Sequence, residues 1–96
     1  MDMLENGLQS CQSLSTRGII SLRDFIHHIN VLVKLGKYIQ TNNSKFYDRY
    51  HNRIVDIFKS TPRTEYFYQS VAELCSILSS IKGSTNILLN KNYFYF

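Results

Sequence analysis

Residues 62–82, PRTEYFYQSVAELCSILSSIK, decide the fold. Phe67, Val71, Leu74, Cys75, Leu78 and Ile81 recur every three or four residues, which makes one apolar stripe on a helix rather than the alternation of a strand. Pro62 lacks a backbone N–H and suits a first helical turn. Gly83, directly after Lys82, supplies a C-terminal stop. The stretch therefore predicts a helix over about 62–82. Working backwards, Thr61-Pro62 closes an earlier helix over about 44–60. Its apolar face is Phe46 or Tyr47, then Tyr50, Ile54, Ile57 and Phe58. Thr41-Asn42-Asn43-Ser44 is a polar turn rich in N-cap residues. Before it, Leu22, Phe25, Ile26, Ile29, Leu32 and Val33 predict an amphipathic helix to about Gln40, with Gly36 a weak point near its end. Ser21 stands three residues before Asp24, the spacing of a capping arrangement. Leu4, Leu8, Cys11 and Leu14 give a weaker N-terminal helix that breaks at Ser15, Thr16 and Gly18.

The expected fold is all-α: a single domain over 1–96, with three main amphipathic helices and a weak N-terminal one. Residues 84–96 form an aromatic C-terminal tail ending Tyr93-Phe94-Tyr95-Phe96, expected to be loose or a short strand. One Pro and four Gly in 96 residues fit long helices better than many short strands. A chain this short buries only a modest core, so a partner or self-association would add useful surface.

Formal net charge is +4, but the excess is local. Lys34 to Arg63 holds seven basic residues against two acids, a surplus of five, which leaves the rest of the chain close to neutral. Such a segment suits a polyanion, either nucleic acid or an anionic membrane face. The plainer reading is a solvated surface. Cys11 and Cys75 are too few and too far apart for a disulfide framework and fit reduced intracellular thiols. Neither a signal peptide nor an apolar run of bilayer-spanning length is expected.

Catalytic chemistry has no foothold in the pattern. There is no phosphate-cradling Gly-rich loop and no H-E-x-x-H or G-x-S-x-G motif. His27 and His28 are neighbours on a helix and diverge by about 100°, so they do not chelate one ion together. No metal site, cofactor or enzymatic activity is expected. The richest constellation is Lys45-Phe-Tyr-Asp-Arg-Tyr-His-Asn-Arg53. Lys45, Arg49 and Arg53, four residues apart, could each meet a phosphate, while Tyr47, Tyr50 and His51 could stack on unpaired bases. The competing reading makes Tyr50 and Ile54 core and leaves the cations in water.

Two blocks resemble the precoat protein family of plant geminiviruses. Thr16-Arg-Gly18-Ile-Ile-Ser-Leu22-Arg23-Asp24-Phe25-Ile26 is similar to the family's Thr-x-Gly segment leading into an aliphatic–Arg–Asp–aliphatic–Ile helix. Tyr47-Asp-Arg-Tyr50-His51-Asn-Arg53-Ile54 is similar to its Tyr-x-x-aromatic-His-x-Arg-aliphatic segment. Weaker echoes are Lys37-Tyr38-Ile39 and Thr61-Pro62-Arg63-Thr-Glu65. The likeness covers roughly the middle half of the chain. Extra residues separate the blocks, and the family's Trp- and Pro-containing N-terminal segment and cysteine-rich C-terminal segment are missing.

The resemblance implies a non-catalytic suppressor of host RNA silencing. Such a protein binds a host coiled-coil silencing cofactor, or competes for small or double-stranded RNA, and assists virus movement. It implies residence in the host cytoplasm, the perinuclear region and the nucleus. Arg23, Asp24, Tyr47, Tyr50, His51 and Arg53 are the residues carried over. Candidate partners are therefore RNA, a host silencing-pathway protein and a second copy; a membrane surface met by the aromatic tail ranks below them. The rival from another class is a generic helical interaction or oligomerisation module without nucleic-acid binding.

Overall fold

Four helices follow one another in the computed structural model, which describes residues 3–94 and the side chains of residues 3–83. They are α1 Met3–Ser15, α2 Leu22–Asn42, α3 Ser44–Lys59 and α4 Glu65–Phe94. Over these residues the protein is all-α, as the periodicity predicts.

Local chemistry sets each boundary. Ser21 Oγ accepts the backbone N–H of Asp24 at 3.1 Å and starts α2 as its N-cap. Asn43 ends α2 by donating its N–H to Ile39 O at 2.7 Å, and the same residue precedes α3, so one residue turns the α2–α3 hairpin. Ser60 closes α3 with a bond to Ile57 O. Pro62 does not open α4, contrary to the sequence expectation. Pro62 and Arg63 lie in a turn closed by Thr64 N–H to Thr61 O, with Arg63 at φ 70°. Proline second and a positive φ third is the pattern of a type II turn. Thr64 then caps α4, its Oγ accepting the N–H of Phe67 at 3.2 Å.

Gly83 does not stop α4, which continues to Phe94. A glycine stop needs a left-handed residue, and no described glycine has positive φ. Residues 84–94 of the expected tail are therefore helical in backbone, while residues 95 and 96, with all side chains beyond 83, lie outside the described residues.

Packing follows a ring, in which α1 touches α2 and α4, and α3 touches α2 and α4, without diagonal contact. One core fills the middle. α1 supplies Leu4, Cys11 and Leu14; α2 supplies Ile29, Leu32, Leu35 and Ile39; α3 supplies Tyr50, Ile54 and Ile57. From α4 come Phe67, Tyr68, Val71, Leu74, Ile77, Leu78 and Ile81. Each large aliphatic fully buried contributes about 1.5–3 kcal/mol. Close approach needs two glycines. A Cβ on Gly7 would fall 2.1 Å from Leu35 Cδ2, and one on Gly36 would fall 3.0 Å from Tyr50 Cε1.

Three expected core residues lie outside it. Leu22 is 74% exposed, Ile26 49% and Phe58 60%. The stripe that places them in the core is correct about which face they share. That face, however, runs past the buried seam onto the open side of the α2–α3 hairpin.

Candidate functional site

The basic aromatic segment forms α3 as expected, and the helix then separates its parts. Successive residues turn by about 100°, so side chains two apart point about 200° away from each other. Tyr47 is two from both Lys45 and Arg49, and His51 is two from both Arg49 and Arg53. The rings therefore face α2 while the cations turn toward α4 and solvent. Arg53 shows this directly, since its Nε lies 3.2 Å from Glu73 Oε2 on α4 and its Nη1 lies 3.0 Å from Asp56 Oδ2. Tyr47 and His51 stack on each other, with ring centroids 5.6 Å apart.

Tyr50 belongs to the core. Its ring is 1% exposed and its hydroxyl donates to Leu32 O on α2. Burial, helped by the nearby Cys11, pushes its phenol above the ordinary tyrosine range. No base can stack on it. Lys45 is exposed, with Nζ 5.1 Å from its own neighbour Phe46's ring centre. Arg49 is exposed and has no ion pair among the described residues. Arg23 and Asp24 stand on the first turn of α2, about 30 Å along the bundle from Lys45 by helix rise. Of the eight predicted site residues, the structure brings together Tyr47, Tyr50 and His51 in one place, with Tyr50 as floor rather than contact.

That place is a cleft between α2 and α3 with a volume of about 290 Å³. Tyr50 and Ile54 form its floor, Val33 and Lys37 one wall, and Tyr47, His51, Val55 and Phe58 the other. Gly36 keeps it open, because any side chain there would press on the Tyr50 ring. The face extends along α2 through the exposed Ile26 and Leu22, which share Val33's side by helical spacing. Leu22 also meets Phe25, Pro62 and Arg63 around a smaller recess. Sequence reasoning missed this surface. The signal was present, since the apolar residues of α2 from Leu22 to Ile39 cover about half its circumference, wider than the roughly 100° stripe one core requires.

Elsewhere, His28 Nδ1 lies 3.0 Å from Ser10 Oγ. Burial, reinforced by His27 and opposed by Asp24, lowers its pKa from the ordinary 6.5. Cys11 is buried, with Sγ 3.3 Å from Val71 O. A hydrogen bond between the two thiols holds the half-buried Cys75 down and, with burial, pushes Cys11 up. Among the described residues no group of three or more His, Cys, Asp or Glu is placed to hold a metal ion. No helix among them is long and apolar enough to cross a membrane. No family model, curated protein or solved structure matches this chain.

Proposed function

We propose that this chain is a non-enzymatic suppressor of host RNA silencing that acts by holding a host silencing-pathway protein, rather than RNA, against its α2–α3 face. The observation that carries the choice of a protein is the cleft with Leu22, Ile26 and Phe58 exposed beside it. Side chains of that size in water offer a partner apolar area that neither phosphate nor ribose uses. The silencing role comes from the resemblance. Its first block supplies Leu22 and Ile26 to this face, and its second supplies Tyr47, His51 and Ile54.

The RNA route loses support on α3. Tyr50 is buried, Arg53 is held by two acids, and Lys45 and Arg49 point away from the rings, which leaves Lys37 of α2 as the one cation among the residues that line the cleft with Tyr47 and His51. A groove combining phosphate contacts with base stacking needs both on one side. The site of action would be the host cytoplasm and perinuclear region, where silencing proteins act.

A silencing reporter in leaf tissue tests the proposal. Wild-type chain should restore reporter expression, and Ile26→Ser with Phe58→Ser should abolish that effect while melting normally. Duplex RNA titrated at two salt concentrations should show only weak, salt-sensitive binding. Suppression that survives the double variant, or tight RNA binding that it leaves intact, would overturn the protein route. Loss of suppression in Arg49→Glu alone would favour RNA.

A further inference from the structure

We infer, on the footing that this chain works by binding a protein, that the occupant of the α2–α3 face is an acidic amphipathic helix. Shape is the first argument. Two antiparallel helices with an open cleft between them form the groove into which a third helix lays anchors at i, i+3, i+4 and i+7. The cleft, at about 290 Å³, is at the bottom of the small-molecule range and suits one or two inserted aliphatic side chains. Phe58 and Ile26 stand beside it as exposed apolar shoulders.

Charge is the second argument and names the partner's sign. Arg23, Lys34, Lys37 and Lys59 are exposed around this face, and none has an ion pair among the described residues. Asp48 is the one acid that helical spacing places there. Arg17 pairs with Glu65, Arg53 with Asp56 and Glu73, and Lys82 with Glu5, while Lys45 and Arg49, unpaired among the described residues, stand on the other side of α3, away from the apolar shoulders. A face that keeps its apolar centre and its positive rim both unpartnered complements a helix with an apolar stripe flanked by Glu and Asp. A second copy would bring the same cations face to face across a two-fold axis. An anionic membrane would meet the projecting Leu22, Ile26 and Phe58 but leave the recessed Tyr50 and Ile54 floor between the helices unfilled, which an inserted side chain fills.

The probe is a synthetic helical peptide of about 21 residues, the length of α2 at the same rise of about 1.5 Å per residue. It carries Leu at i, i+3, i+4 and i+7 and Glu elsewhere. Its controls replace Glu by Lys, or Leu by Ser. Fluorescence anisotropy with the full chain should show the Glu–Leu peptide binding about ten-fold or more tightly than either control. Phe58→Ser should cost about ten-fold, and Tyr66→Ser, an exposed aromatic on α4, should change nothing. Lys34→Glu with Lys37→Glu should shift preference toward the Lys peptide, a rescue that misfolding does not produce.

Equal binding of Glu and Lys peptides would overturn the inference, as would indifference to Phe58→Ser. So would a dimer that Phe58→Ser dissociates, or capture by anionic phospholipid vesicles that the peptide does not displace. The silencing reporter separates the two levels. Lost peptide binding with Phe58-dependent suppression removes the acidic helix and spares the protein-binding function. Retained peptide binding without suppression supports the helix and removes the silencing role.

Discussion

Replacing Tyr50 by Phe should destabilise this protein and leave its binding untouched. The ring is 1% exposed, and its hydroxyl donates to Leu32 O across the α2–α3 seam. Deleting one oxygen keeps the ring and opens almost no cavity. The orphaned partner is a helical carbonyl within α2, which still accepts a backbone N–H from its own helix. The full penalty of an unsatisfied acceptor therefore does not apply, and the loss is that of one ordinary buried hydrogen bond, about 1 kcal/mol. In a domain of this size that lowers Tm by about 4–8 °C. Tyr50→Ala would cost about 3–5 kcal/mol by cavity formation and would confuse folding with function. Calorimetry gives the shift, and peptide and RNA titrations well below Tm give the binding. An unchanged Tm together with lost binding would refute the reasoning, because it would make the hydroxyl a ligand contact.

Gly36→Ala should destabilise by about 1 kcal/mol, although helix propensity alone favours Ala by about as much. The new Cβ falls 3.0 Å from Tyr50 Cε1, and that ring is tethered at its hydroxyl, so overpacking of about 1–3 kcal/mol wins. Urea unfolding measures the sign, and a stabilised variant would show the ring free to yield. His28 favours its neutral form in the folded protein, so on acidification the unfolded chain takes the proton first. Stability is complete above pH 6.5 and falls as pH drops below it, which urea midpoints on either side should reveal; His28→Gln should flatten the dependence. Cys75 should alkylate with iodoacetamide well before Cys11, since Cys11 is 0% exposed and its hydrogen bond favours the Cys75 thiolate. Equal rates by mass spectrometry would contradict the packing of α1 on α4.

Periodicity and capping were sufficient for the helices. Ser21 three residues before Asp24 located the start of α2, and the polar run through Asn43 located the hairpin. Two boundaries depended on backbone conformation that residue type does not specify. Gly83 ends a helix only if it turns left-handed, and the left-handed residue of the preceding loop is Arg63, which no composition rule selects. The site was legible in part. Tyr47 and His51 do line the cleft; of the two readings of Tyr50, stacking contact or core, the structure has the core one, while Phe58, on the expected apolar face, stands exposed. Helical spacing says which side chains share a face and not whether another helix covers it. The separation of cations from rings, however, was already in the numbering, because residues two apart on a helix never share a side.

The four seams of the ring differ in a way that bears on which face is used. α1 is tied to α4 by Glu5–Lys82 and by the Cys11 hydrogen bond to Val71. α1 meets α2 through Ser10 and His28. α3 meets α4 through Arg53 and Glu73. Across α2–α3 the described residues place one buried bond, Tyr50 to Leu32, and no ion pair. The single-residue turn at Asn43 explains how that seam holds without surface ties, since the chain itself keeps the two helices adjacent. It does not explain why Lys34, Lys37 and Lys59 stand there without ion pairs among the described residues. Nor does it explain why side chains as apolar as Leu22, Ile26 and Phe58 stand about half or more exposed to water. Selection for stability alone gives no reason to keep a surface both apolar and positively rimmed, and that is the ground on which a partner from another molecule is proposed for it.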